Sequence, residues 1–90
     1  MILFTQDGCG RCEELKRWLL AAGVELDAVP GLTVYDYGTV DGAAKADEYD
    51  IFALPALLEW RDARHWHCTS DVDEIVALLT TTARRNGESA

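Results

Sequence analysis

The chain has 90 residues, of which 49% are apolar, a size and composition typical of one compact domain. Its net charge of −8 repels nucleic-acid phosphates and anionic membrane surfaces, so we expect neither as a partner. No apolar stretch approaches the roughly 20 residues that cross a bilayer, and no basic segment precedes the first apolar run. These features predict a cytoplasmic protein, in which two of the three cysteines, Cys9 and Cys12, are held three apart and indicate catalysis or metal binding rather than a structural disulfide.

The chain begins with a predicted strand and a predicted helix. The apolar run Ile2–Phe4 ends at polar residues and Gly8, a pattern typical of a strand that is buried on both faces. From Cys12 the apolar period becomes helical, with a stripe formed by Leu15, Trp18, Leu19 and Ala22. We expect Trp18 to pack in the core and the helix to end at Gly23.

A second strand and a second helix follow. The β-branched and aromatic residues of 33–37 predict a strand parallel to the first, because strand, helix and strand at this spacing favour a right-handed crossover. A short alanine-rich helix comes next. Its N-cap is Thr39 or Asp41, and it ends near Tyr49.

The next segment predicts a β-hairpin. Residues 56–60 and 64–68 form its strands, and Arg61-Asp62-Ala63 forms the turn between them. The short connection makes these strands antiparallel. Trp60 and Trp66 are then a cross-strand pair that covers part of one sheet face.

A last helix completes the predicted fold. Its N-cap comes from Thr69, Ser70 or Asp71, and its apolar stripe is Val72, Ile75, Val76, Leu78 and Leu79. Residues 83–90 are polar, so we expect a frayed tail there. The elements therefore follow the order β, α, β, α, β, β, α in a single domain at residues 1–82.

The stretch Cys9-Gly10-Arg11-Cys12 lies between the first strand and the first helix. A thiolate is the attacking species in disulfide exchange, and the positive end of a helix favours it, so we predict a lowered pKa for Cys9. Arg11 assists this ionisation, whereas nearby carboxylates oppose it: Asp7, Glu13 and Glu14. Cys12, one helical turn later, is predicted to be more buried and less acidic. Gly10 allows a substrate backbone to approach closely.

Together with this CxxC motif and with Leu54-Pro55 before the third strand, the element order resembles that of the glutaredoxin and small thioredoxin families over residues 1–82. The nearest likeness is to the short glutaredoxin-like redoxins that thioredoxin reductase serves. The resemblance implies an α/β thioredoxin fold, βαβαββα, with a four-stranded mixed sheet flanked by three helices. It also implies that Pro55 is cis and faces the two thiols, and that the backbone of Leu54 pairs with a substrate strand.

The function that this resemblance implies is that of a thiol-disulfide oxidoreductase, a monomer without a bound cofactor that reduces disulfides of protein substrates. Cys9 attacks the disulfide, a mixed disulfide forms, and Cys12 displaces the product. The reductant is either thioredoxin reductase with NADPH or glutathione. Glutaredoxins usually carry a basic residue before the CxxC motif and a glycine pair after the fourth strand. Residues 5–8 and 66–71 stand there instead, without the basic residue or the glycine pair, which favours the reductase.

Two alternatives stay open in the sequence. The chain is a metal-binding or adaptor domain if Cys9, Cys12, Cys68 and either His65 or His67 converge as four ligands for zinc or an iron-sulfur cluster. Strand alternation opposes this, because it puts Cys68 and both histidines on opposite faces and favours exposed hairpin positions for the histidines. Cys68 itself is either an auxiliary thiol near the CxxC motif or a small, largely buried side chain.

Overall fold

The computed structural model describes residues 1–62 and 64–88, and side chains among them as far as residue 84. Within these residues the chain forms four strands, three α-helices and one 3-10 helix, in the predicted order. The elements are β1 (Ile2–Thr5), α1 (Gly10–Ala21), the 3-10 helix Leu26–Ala28, β2 (Thr33–Asp36), α2 (Val40–Glu48), β3 (Ala56–Trp60), β4 (Trp66–Thr69) and α3 (Val72–Glu88).

The strands form one mixed sheet of order β2-β1-β3-β4. β1 pairs in parallel with β2 and antiparallel with β3, where Phe4 lies opposite Ala56. β3 pairs antiparallel with β4, with Leu57 opposite Thr69. The protein is therefore an α/β domain with a four-stranded mixed sheet, and the register brings the end of β1 beside the start of β3.

Alternation along the strands divides the core between the two faces of the sheet. Leu3 and Leu57 face α1 and α3 and pack there with Leu15, Leu19, Val72, Ile75 and Leu79. Phe4 and Leu58 face α2 and pack there with Ala46 and Ile51. All four residues of β1 are buried, which agrees with the prediction from its continuous apolar run.

The turn between β2 and α2 is closed by Thr39, one of the two predicted caps. Its hydroxyl donates to the carbonyl of Asp36 at 2.7 Å and accepts from the N–H of Gly42 at 3.0 Å. A Cβ atom at Gly42 would overlap that same carbonyl oxygen. Glycine at this position therefore lets the first turn of α2 lie directly against the end of β2.

The hairpin contains the predicted tryptophan pair. Trp60 and Trp66 lie opposite each other in the β3–β4 register, with ring centroids 6.3 Å apart. Tyr49, just after α2, packs edge-on against both rings at 5.6 and 5.8 Å. The three rings join the end of α2 to the turn end of the hairpin on the α2 face of the sheet.

The predicted start of the fourth strand at residue 64 is wrong, because β4 begins at Trp66 and ends at Thr69. The side chain of Asp62 accepts hydrogen bonds from the N–H groups of Arg64 and His65, at 2.8 and 3.0 Å. These bonds hold both residues in the turn. Ala63, predicted to complete that turn, lies outside the described residues.

Trp18 does not pack in the core as the helical stripe predicts, since it is 53% exposed. Leu15 and Leu19 are the buried residues with which this part of α1 covers the sheet. Trp18 lies at the edge of that helix face, where its ring stays largely in solvent.

The predicted helix end at Thr82 is also wrong, because α3 continues to Glu88. Ala83 packs against the α1–α3 core, and alanine and arginine, here Ala83 and Arg84, are strong helix formers. The segment predicted as a frayed tail is thus helical as far as residue 88. Its last two residues, 89–90, lie outside the described part of the chain.

None of the helices in the described part of the chain is both long enough and apolar enough to cross a membrane.

Candidate functional site

Cys9 is the N-cap residue of α1. Its backbone is extended, and its sulfur accepts a hydrogen bond from the N–H of Cys12 at 3.4 Å. Gly8, just before it, has a φ of 81°, a left-handed conformation that glycine adopts without steric cost. The chain therefore turns sharply from β1 into α1. The Cys9 sulfur lies at the positive end of the helix, where the first N–H groups lack backbone partners.

The segment before β3 forms the second wall of the site. Because Phe4 pairs with Ala56, residues 54–55 lie beside the point where β1 ends. The thiol of Cys9 donates to the carbonyl oxygen of Leu54 at a sulfur–oxygen distance of 3.9 Å. The Leu54–Pro55 peptide bond is cis, and Pro55 is buried. The structure thus brings Cys9 and Leu54 together, 45 residues apart in the chain.

Cys12 is fully buried, with 0% of its surface exposed. This burial raises the pKa of its thiol to about 11, and a hydrogen bond with Cys9 acts in the same direction. The predicted difference in burial and acidity between the two cysteines is therefore present. Cys12 keeps its proton at neutral pH.

The pKa of Cys9 is lowered from its ordinary value, in the direction that the sequence predicts. The largest cause is a hydrogen bond from the Cys12 side chain, while partial burial acts against it. The backbone N–H groups of Cys12 and Arg11 and the charge of Arg11 lower the pKa further. The helix N-terminus and Arg11 were identifiable from the motif, whereas the Cys12 contact depends on the first turn of α1.

Two of the three carboxylates near the motif, Asp7 and Glu13, share one ammonium group. Lys16 Nζ lies 3.3 Å from Asp7 Oδ1 and 3.9 Å from Glu13 Oε1, so one ammonium group serves both. All three side chains are exposed, so these contacts are worth little in stability. The single positive charge of Lys16 nevertheless offsets one of the three negative charges expected to raise the pKa of Cys9. The pairing of Lys16 was not predicted, although its i,i+3 spacing from Glu13 stands in the sequence.

Arg11 and Gly10, the two residues between the cysteines, are both exposed. Arg11 reaches across to the connection between β4 and α3, where its Nη2 donates to the carbonyl of Ser70 at 2.9 Å. Nothing in the local sequence points to this contact. A Cβ at Gly10 would meet no atom within 4 Å, so space for an approaching backbone is open there.

Cys68 is exposed, so the prediction of a largely buried side chain is wrong. It lies opposite Leu58, on the α2 face of the sheet, whereas α1 covers the other face. Three strand positions separate Leu58 from Pro55, about 10 Å along β3. Partial desolvation raises the pKa of the Cys68 thiol, which disfavours its thiolate. The auxiliary-thiol role stays a prediction, and the register does not bring this residue to Cys9.

Each of the two histidines pairs with a carboxylate, and the two carboxylates lie on separate elements. His65 Nδ1 lies 2.9 Å from Asp62 in the hairpin turn, and His67 Nε2 lies 2.8 Å from Glu74 at the start of α3. Among the described residues, no three or more His, Cys, Asp or Glu side chains are grouped to hold a metal ion. The four-ligand set considered from the sequence is therefore not assembled in this conformation.

The comparisons with known proteins identify no relative: no family model, no curated protein and no solved structure matches the chain. A functional assignment therefore depends on the chemistry of the Cys9–Cys12 pair and its surroundings.

Proposed function

We propose that this protein is a thiol-disulfide oxidoreductase with a thioredoxin-type fold, which uses Cys9 and Cys12 to reduce disulfides of protein substrates. The observation that carries the proposal is the asymmetry of the pair. Cys9 is partly exposed with a lowered pKa, whereas Cys12 is buried with a pKa of about 11. The Cys9 thiol is thus the one that ionises and attacks, whereas the Cys12 thiol keeps its proton until the mixed disulfide has formed.

The first step is attack by the Cys9 thiolate on one sulfur of a substrate disulfide. The substrate S–S bond breaks, a mixed disulfide forms with Cys9, and the departing thiolate takes a proton from solvent. Ionisation of Cys9 also removes the proton that its thiol donates to the carbonyl of Leu54. That oxygen then becomes available to accept a hydrogen bond from a substrate backbone N–H.

The second step regenerates the substrate thiol. Once Cys9 is in a disulfide it carries no negative charge and no longer raises the pKa of Cys12, so Cys12 loses its proton more readily. The Cys12 thiolate attacks the Cys9 sulfur, a Cys9–Cys12 disulfide forms, and the second substrate thiolate leaves and is protonated. Two electrons pass to the substrate. A reductase using NADPH, or glutathione, returns them to the protein.

The fold supports this proposal independently of the cysteines. The element order, the mixed sheet and the cis bond at Leu54–Pro55 agree with what the resemblance to thioredoxins and glutaredoxins implies. Phe52, two residues before Leu54, is 91% exposed. Its Cα is at most about 7 Å from that of Leu54, so an exposed apolar ring stands in the segment that flanks the reactive sulfur.

Reduction of insulin disulfides by the wild type and by two single variants tests the assignment. Cys9→Ser should abolish turnover, because no other thiolate is available at the site. Cys12→Ser should stop at a mixed disulfide on Cys9, which mass spectrometry detects as a protein–substrate adduct. Cys68→Ser is the matched control and should retain wild-type turnover. Equal rates in all four proteins would overturn the assignment.

The reductant is tested by driving the same assay with NADPH and thioredoxin reductase or with glutathione and glutathione reductase. We expect faster turnover with thioredoxin reductase, because the exposed carboxylate of Asp7 precedes the motif and Arg11 is bonded to Ser70. Efficient turnover with glutathione would identify the protein as a glutathione-dependent glutaredoxin instead.

A further inference from the structure

The Arg11 guanidinium is fixed at the rim of the candidate site by one peptide unit, that between Ser70 and Asp71. Arg11 Nη2 donates to the carbonyl oxygen of Ser70 at 2.9 Å. The N–H of the same unit, belonging to Asp71, donates to the hydroxyl oxygen of Thr69 at 3.2 Å. A trans peptide is planar, and its N–H and C=O groups point in opposite directions. Fixing the N–H therefore fixes the direction in which the carbonyl meets Arg11.

The Thr69 hydroxyl is itself oriented by Glu74. It donates its hydrogen to Glu74 Oε2 at 2.9 Å, which leaves its oxygen lone pairs to accept from Asp71. The other carboxylate oxygen of Glu74 lies 2.8 Å from His67 Nε2. Thr69 is buried despite its polar side chain, so its hydroxyl depends on these partners rather than on solvent.

We propose that Thr69 and Glu74 are positioning residues for the redox site, which hold the Arg11 guanidinium beside Cys9 by fixing the Ser70 carbonyl. This inference rests on the proposed function and deepens it. Neither residue contacts either sulfur. Their effect reaches the thiol through Arg11, whose charge and backbone N–H both favour the Cys9 thiolate.

Glu74 could affect the reaction rate of Cys9 by two routes, directly through space or through Arg11. The two routes have opposite signs, so an experiment distinguishes them. A carboxylate acting directly through space disfavours a nearby thiolate, so its removal would speed reaction of Cys9. A carboxylate acting through Arg11 favours the thiolate, so its removal would slow that reaction. Thr69 carries no charge, and its removal affects Cys9 only through the second route.

The experiment measures the iodoacetamide alkylation rate of Cys9, mapped by mass spectrometry, across pH in the wild type, Glu74→Gln and Thr69→Val. On the acid side of the Cys9 pKa, both variants should react about two- to five-fold more slowly, the size expected for an exposed charge interaction. Thr69→Ser, which keeps the hydroxyl, should restore the wild-type profile. Circular dichroism melts check that each variant is folded. If Thr69→Val does not fold, the comparison of Glu74→Gln with the wild type tests the inference.

A double-mutant cycle with Arg11→Ala distinguishes positioning from a general structural effect. In the Arg11→Ala background, Glu74→Gln should cause no further slowing. Asp62→Asn is the matched control, because Asp62 also pairs with a histidine, while its hydrogen bonds go to Arg64 and His65 in the hairpin turn and not to residues 69–71. It should leave the profile unchanged.

Faster alkylation in Glu74→Gln, or equal slowing with and without Arg11, would overturn the inference. If the wild type reduces insulin disulfides while these variants keep its pH profile, the inference fails and the proposed function stands. If wild-type Cys9 reacts only as an ordinary thiol and reduces no disulfide, the proposed function itself fails.

Discussion

Burial of Cys12 has a measurable consequence for stability at alkaline pH. The folded protein keeps the Cys12 proton up to about pH 11, whereas the unfolded chain loses it above the ordinary value of 9.0. Between these values the unfolded state binds fewer protons, so the free energy of unfolding falls as pH rises. The stabilisation is complete below pH 9, the Cys12 pKa in the unfolded chain, and it is lost as the pH rises towards about 11, the Cys12 pKa in the folded protein. The difference of about two pH units corresponds to at most about 2.7 kcal/mol.

Urea denaturation under reducing conditions, at about pH 8 and about pH 11, measures this loss. The wild type should lose about 2 kcal/mol more than Cys12→Ala between the two pH values. Groups outside the Cys9–Cys12 pair titrate alike in the two proteins, so the comparison reports on the pair, in which the variant also loses the hydrogen bond that lowers the pKa of Cys9. Cys68→Ala should follow the wild type more closely, because that thiol is exposed. Parallel losses in the wild type and Cys12→Ala would refute the argument that Cys12 is buried as a neutral thiol.

Two further changes test the surroundings of the site. Phe52→Ala should raise the KM for insulin several-fold without changing the reaction of Cys9 with a small disulfide, because the ring is exposed and packs in neither core cluster; an equal effect on both substrates would contradict a docking role. Gly42→Ala should lower the free energy of unfolding by about 1–3 kcal/mol in urea titrations, since overlap with the Asp36 carbonyl outweighs the roughly 1 kcal/mol that alanine gains in a helix. Stabilisation of that variant would show that α2 is not seated against β2.

Local patterns were enough to predict most of the framework. The continuous apolar run Ile2–Phe4 identified a strand buried on both faces, and one of the two predicted caps, Thr39, stands at the start of α2. The tryptophan pair of the hairpin followed from alternation on either side of a short turn. Each of these features depends on residues within a few positions of one another, which is why sequence spacing was sufficient.

The features that the sequence did not predict depend on contacts between distant segments or on competition for the backbone. Trp18 has helical spacing like its buried neighbours, yet Leu15 and Leu19 already cover the sheet. The Asp62 side chain keeps residues 64 and 65 in the turn, which delays β4.

In the candidate site, the motif alone predicted the direction of the Cys9 pKa. Two contacts made by residues around the motif were not predicted. One is the pairing of Lys16 with Asp7, and the other is the bond from Arg11 to a carbonyl 59 residues away. Both depend on how side chains reach across the folded surface, so no spacing rule in the motif identifies them.

The most direct test of the proposed function is a redox titration of the purified protein against a dithiothreitol couple, with the disulfide mapped by peptide mass spectrometry. We expect a single two-electron transition in which Cys9 and Cys12 become linked while Cys68 remains a free thiol. A protein whose Cys9 and Cys12 stay unlinked throughout the titration, or whose oxidation links Cys68, would contradict the account.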